Sequence, residues 1–274
     1  MIEESQSKNP IGKYFIKPFS KNRQLLSELY DEFLKKHYSV GYFEVNVTKG
    51  KELIDQYLVK TGEKISFTSW IVKCISDAVV KYPEINSFRK GRSKIIVFED
   101  IDIIVMVERK LSNKVIPIPY SIRKSSEKSL LSVSREIRLA QEMKVSEEDQ
   151  LLDQGLGVKL FPFIPRFIRK WFIRRTIHNP FAVKKQGGLI VVTSVGMFAN
   201  VRGWVGGFGG ITTLSIAIGG ITQKLVKKEN EINEEQFLQV TLLIDHDLID
   251  GGPATRFTSY LVNLLEHGQG LLEL

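Results

Sequence analysis

From Gly187 to Asp245 the chain is a succession of apolar, β-branched runs set between glycines, and that pattern demands a sheet. Leu189 to Val195, Ile211 to Ile218, Ile221 to Val226 and Gln236 to Asp245 are each of strand length. The last two read as an antiparallel pair across the polar turn Lys227 to Glu235. Upstream, Gly41 to Val47, Lys94 to Phe98, Ile101 to Val107 and the shorter Val115 to Ile118 add strands, with Lys94 to Phe98 and Ile101 to Val107 joined by a turn at Glu99-Asp100. Helical spacing fills the intervals. Ser20 caps a stripe of Leu26, Leu29, Tyr30, Phe33, Leu34 and His37, and Leu53 to Leu58 forms a short helix stopped at Thr61-Gly62. Trp70, Ile71, Cys74, Ile75, Ala78 and Val79 form the clearest stripe, with Thr68 as its expected N-cap and Pro83 beyond its end. Ser125-Ser126 opens a helix that buries Leu130, Val133, Ile137 and Ala140. Pro253 suits the first position of a last helix, with Phe257, Leu261 and Leu265 inward. Strands and helices do not alternate regularly, so the expected class is α+β: one mixed sheet with flanking helices, in a single domain over 1–274.

Composition narrows the function classes. One cysteine, Cys74, on an apolar helix face, excludes an internal disulfide and a zinc site built on paired thiolates; no metal is expected. The N-terminus has no apolar core of a signal peptide, and no uncharged apolar run is long enough to span a bilayer. The expected location is the cytoplasm. The net charge of +8 is unevenly placed: from Gln154 through Lys228 there are 12 Lys and Arg and no Asp or Glu, while the rest of the chain carries 27 basic and 31 acidic residues. A phosphate-bearing ligand or an anionic membrane surface fits that region better than nucleic acid, for which no motif is present. Within it, Leu160 to Arg175 sets Phe161, Phe163, Ile164, Phe167, Ile168, Trp171 and Phe172 largely opposite Arg166, Arg169, Lys170, Arg174 and Arg175. Such a helix lies in a membrane interface or, as the better reading of a short pattern, packs on the domain or a neighbouring subunit with snorkelling basic residues.

One stretch carries chemistry. Asp245-His246-Asp247-Leu248-Ile249-Asp250-Gly251-Gly252 follows a strand and precedes the last helix. Acyl transfer to a thiol or hydroxyl needs a base near neutral pKa, a group to fix it and a donor for the developing oxyanion. His246 is the histidine flanked by such groups: Asp250 lies four residues on, and Asp245 and Asp247 are alternatives for the structural task. Thr193 and Ser194, a polar pair in an apolar strand, are candidate oxyanion donors, or hydroxyls that satisfy backbone at a strand end. The glycines of 203–210 have neither dinucleotide nor Walker spacing.

Several collinear segments together resemble the catalytic domain of the 2-oxo acid dehydrogenase (dihydrolipoamide) acyltransferases, relatives of chloramphenicol acetyltransferase. Leu243 to Leu265 is similar to that family's D-H-x-x-x-D-G signature and its following helix, here Ala254-Thr255-Arg256-Phe257. Gly187 to Phe198, Thr212 to Ile221, and Phe67 to Asn86 ending Tyr82-Pro83-Glu84-Ile85-Asn86 resemble three further family segments, so the likeness runs from about Arg23 to the C-terminus. It implies a chloramphenicol-acetyltransferase-like fold and an acyltransferase that uses coenzyme A; the charge pattern adds the expectation that basic residues of 159–228 attract the coenzyme A phosphates. It implies His246 as general base on the thiol, Asp250 as a structural carboxylate paired with Arg23, and a strand hydroxyl at Thr193, with Ser194 beside it, on the tetrahedral intermediate. It implies homotrimers or larger multiples with each active site between two subunits. Departures are visible: Asp247 stands where the family usually has Arg, Thr193 where it has Ser, no Asp-Lys-Ala lipoylation motif occurs, and a basic aromatic insertion lies near 155–187. The expectation is a stand-alone acyltransferase with unspecified acyl group and acceptor. The alternative is a non-catalytic scaffold or membrane-associated binding protein on the same fold, with Leu160 to Arg175 as the membrane contact.

Overall fold

The computed structural model describes residues 12, 14–111, 114–143, 161–194, 202–207, 209–228 and 231–274. Gly155, Gly157, Gly196, Met197 and Phe198 lie outside them. Seven α-helices are found among the described residues: α1 (Lys21–Phe33), α2 (Thr48–Thr61), α3 (Phe67–Lys81), α4 (Leu130–Glu142), α5 (Arg166–Ile177), α6 (Pro180–Gln186) and α7 (Gly251–Glu266). The strands are β1 (Tyr38–Asn46), β2 (Ser87–Lys90), β3 (Lys94–Val97), β4 (Ile103–Leu111), β5 (Lys114–Ile122), β6 (Ile190–Ser194), β7 (Leu214–Lys228) and β8 (Glu231–Asp245). No helix among the described residues is long and apolar enough to cross a membrane.

Six strands form one mixed sheet in the order β1-β8-β7-β6-β4-β5. The β4–β6 and β6–β7 pairs are parallel and the other pairs antiparallel. This is the expected α+β architecture. Strand residues alternate between faces, and Ile190, Val192, Leu214, Ile216, Ile218, Val240, Leu242 and Ile244 all turn to the face that shares a core with α3. On α3, Trp70, Cys74, Ile75, Ala78 and Val79 are fully buried, and burial pushes the Cys74 thiol pKa well up, leaving a small core residue rather than a nucleophile.

Local chemistry moved several expected boundaries. Helix α3 begins two residues earlier than read, with Ser66 as its extended cap residue and Thr68 buried inside it. Lys94 to Val97 does not pair with the strand after it. It pairs with β2 in a separate ribbon, while the Asn86 amide donates to the Phe98 and Asp100 carbonyls at 2.7 and 2.9 Å and holds the chain away from a tight turn. The two runs read from Ile211 to Ile218 and from Ile221 to Val226 are one long strand, Leu214–Lys228, with a bulge between Ile218 and Ile221 where Gly219-Gly220 falls. Strand β5 is longer than read. It tolerates Pro117 and Pro119 because it lies at the sheet edge. Ser125-Ser126 forms a short 3₁₀ turn, and Ser129 is the true cap of α4, accepting from the Ser132 amide.

The Gly187-Gly188 pair has a steric cause. Gly188 has φ +122° and packs against the Asp102 carbonyl, where a side chain would collide. That contact brings α6 onto the Asp102 carboxylate, which takes Lys184 Nζ at 2.9 Å, Arg123 Nη1 at 3.0 Å and the Lys124 amide at 2.9 Å.

Candidate active site

His246 is the first residue past β8. The β1–β8 ladder ends at Tyr38 opposite Asp245, and one position on, the His246 amide donates to the His37 carbonyl at 2.7 Å. The backbone of the histidine is thus fixed while its side chain stays 48% exposed.

The carboxylates around it divide differently from expectation. Asp250 is 88% exposed, its Oδ1 is 4.0 Å from His246 Nδ1, and as the cap residue of α7 it makes no side-chain bond to the helix. At that separation it does not hydrogen-bond the imidazole. Among the described residues no ion pair joins it to Arg23, which is exposed at the start of α1. Asp245 is the buried carboxylate. It accepts from Lys36 Nζ at 2.7 Å and from the Asp247 amide at 3.2 Å, and its own amide donates to the Thr213 carbonyl at 2.9 Å. Lys36 also reaches the Ile211 carbonyl at 3.2 Å. The cation that fixes the loop therefore comes from just beyond the C-terminal end of α1, not from Arg23.

Asp247, the departure from the family pattern, is used as well. One oxygen lies 3.0 Å from His37 Nδ1 and the other 3.5 Å from Arg89 Nη1. Tyr38 closes the inner side, donating to the carbonyls of Gly210 and Thr212, and burial followed by the nearby Asp245 charge raises its phenol pKa. Lys36, His37, Arg89, His178, Asp245 and Asp247 help line a cavity of about 430 Å³ beside the loop. Nothing in the sequence near His246 points to Lys36 or His37, which lie more than two hundred residues away along the chain.

Thr193 and Ser194 stand on β6, and the register separates them. Ser194 shares the helix-side face with Ile190 and Val192 and is buried. Thr193 faces the other way, in a row with Ala217 and Thr241, and is half-buried. His246 lies five positions beyond Thr241 on the next strand but one from β6, so the two groups are roughly 16 Å apart along the strands alone. One chain does not bring the base and the strand hydroxyl together.

The family model for the 2-oxoacid dehydrogenases acyltransferase (catalytic domain) matches residues 37–150 and 181–273. The dihydrolipoyllysine-residue acetyltransferase component of the pyruvate dehydrogenase complex of Mycoplasma genitalium is 23% identical over 229 residues, 82% of this chain and 50% of that protein. Its Mycoplasma pneumoniae counterpart is 21% identical, over 82% of this chain and 48% of that protein. The chain thus spans about half the length of these curated relatives. Among solved structures, a probable dihydrolipoamide acetyltransferase from Listeria monocytogenes superposes with a TM-score of 0.66 at 18% identity, covering 92% of this chain and 94% of that one. The dihydrolipoamide acetyltransferase of Azotobacter vinelandii gives 0.69 at 16% identity, covering 96% and 95%. These superpositions establish the fold.

Proposed function

The chain belongs to the 2-oxoacid dehydrogenases acyltransferase (catalytic domain) family, and on that premise we propose that it transfers an acyl group between coenzyme A and a nucleophilic acceptor, in a site assembled from His246 of one copy and Thr193 of the next. The observation that carries this reading is the clamped, solvent-accessible His246 together with its separation from the strand hydroxyls. His246 takes the proton of the attacking thiol or hydroxyl as that atom bonds to the thioester carbonyl carbon. The tetrahedral oxyanion accepts a hydrogen bond from the Thr193 hydroxyl. Its collapse breaks the carbon–sulfur bond, and the imidazolium returns the proton to the leaving thiolate. Thr193 suits the role better than Ser194, because its side chain turns away from the helix-side core.

Two further observations support the reading. In the Azotobacter vinelandii protein a serine, a histidine and an asparagine four residues after that histidine have been investigated for their catalytic roles. Here Asp250 occupies the same spacing from His246 and acts, in this proposal, on the exposed side of the imidazole. A structure of the cubic core of the pyruvate dehydrogenase multienzyme complex superposes with a TM-score of 0.68 at 16% identity, which supports a homotrimer or higher multiple. The sheet edge at β1, where Val40 and Tyr42 are exposed, offers a surface for such contacts. The test is thioester exchange between acetyl-coenzyme A and dihydrolipoamide or simpler thiols. His246→Ala should lower the rate by roughly a hundredfold or more. Full activity in that variant, with the fold intact, would sink the assignment.

A further inference from the structure

Helix α5 is turned inside out relative to its sequence pattern. Its buried line is Arg169, Ile173 and Ile177. The Arg169 guanidinium bonds Glu28 on α1 through Nε at 3.0 Å and Nη2 at 2.5 Å, and it donates to the Ile164 carbonyl at 3.0 Å. Lys170 pairs with Asp31 at 3.2 Å, and Arg174 reaches Glu32 at 3.4 Å. Phe167, Trp171 and Arg175 each stand two residues from a member of the buried line, about 200° around the helix, and so point outward. Phe167 is 75% and Trp171 57% exposed, and Phe163 in the preceding turn is exposed with them. Arg175 stacks over the Trp171 ring at 5.8 Å and Lys21 over the Phe163 ring at 3.4 Å.

We propose that this face docks onto the headgroup layer of an anionic lipid bilayer. The charge arrangement selects that occupant. The α1 carboxylates Glu28 and Glu32 are buried beneath α5 in ion pairs, and Asp31 is bridged by Lys170. Lys21 and Arg175 stand exposed over the outward rings, and Arg23, Arg166 and Arg174 are exposed as well, Arg166 and Arg174 while also paired with Glu28 and Glu32. Aromatic side chains among cations are what the boundary between anionic headgroups and acyl chains accommodates. A second copy docking about a twofold axis would bring these cations against one another. The family match passes over residues 151–180, so the shared fold does not require this face.

The test is co-sedimentation of the full chain with vesicles of phosphatidylcholine alone and of phosphatidylcholine with phosphatidylglycerol. Binding is expected only to the anionic vesicles and should weaken steeply between about 0.1 and 0.5 M salt. Phe167→Ala with Trp171→Ala, or Arg175→Glu, should reduce it roughly tenfold, with unchanged thermal midpoint and unchanged mass by light scattering. Absence of binding to anionic vesicles at low salt overturns the proposal. So does a double variant that binds as well as the parent, or one whose mass by light scattering falls, which would assign the face to contact between copies.

Discussion

Co-assembly of two impaired variants should restore acyl transfer that neither has alone. Thr193 shares a row with Ala217 and Thr241, and five further residues of β8 and its turn carry the chain to His246. At about 3.3 Å per residue, plus two interstrand spacings of about 5 Å, the in-chain separation approaches roughly 19 Å. A tetrahedral intermediate needs both groups within about 3 Å of the reacting atoms. His246→Ala removes the base, and Thr193→Ala removes an oxyanion donor worth roughly a hundredfold to a thousandfold in rate. In a cyclic oligomer built from an equal mixture, an intact site needs a histidine from a Thr193→Ala chain beside a threonine from a His246→Ala chain. A trimer containing both chains offers that pairing at one site in three, so about a third of parental activity should return in the isolated hybrids. The assay is thioester exchange with acetyl-coenzyme A after co-expression of the two chains under different affinity tags, with tandem purification isolating the hybrids. Isolated hybrids no more active than the mean of the two parents would refute the shared site, because a site within one chain stays broken in every hybrid.

Two stability predictions follow from the loops around the site. For Asp102, burial pushes the carboxyl pKa up, but Lys184, the Lys124 amide and Arg123 outweigh it, and the folded value lies below the ordinary one. Its contribution is therefore present above the unfolded carboxylate value of about 3.9 and is lost as pH falls through the folded value. Asp102→Asn should lower unfolding free energy by about 2 kcal/mol at pH 7 and 5, with the difference shrinking below about pH 4 in urea titrations. Asp245→Ala leaves Lys36 mostly buried without its carboxylate and should cost about 3 kcal/mol together with most of the activity. Lys36→Met with Asp245→Leu should regain part of the stability and little of the activity, since the bond to the Asp247 amide stays lost.

What could be read from the residues, and what could not, follows the range of the interactions. The histidine loop was legible because its parts lie within eight positions, and the sheet and helices because burial imposes periods of two and 3.6 residues. The identity of the fixing cation was not. Lys36 meets Asp245 only because β1 pairs with β8 along its whole length, and no local spacing encodes that register. The separate β2–β3 ribbon was hidden for a similar reason: the Asn86 side chain, not the nearest turn, decides where residues 98–100 go. Helix α5 failed in a more instructive way. Periodicity reports where apolar side chains recur and assumes that they are the buried ones, but a bidentate Arg169–Glu28 pair beside Ile173 and Ile177 took the inner face. An ion pair desolvated that deeply repays its desolvation cost only with good geometry and further partners, and the Ile164 carbonyl supplies one. Breaking that arrangement to bury Phe167 and Trp171 instead would strand charges on α1 as well as on α5. The exposed rings are therefore fixed by the acidic positions of a helix more than a hundred residues earlier in the chain, and the hydrophobic pattern of α5 alone has no access to that constraint.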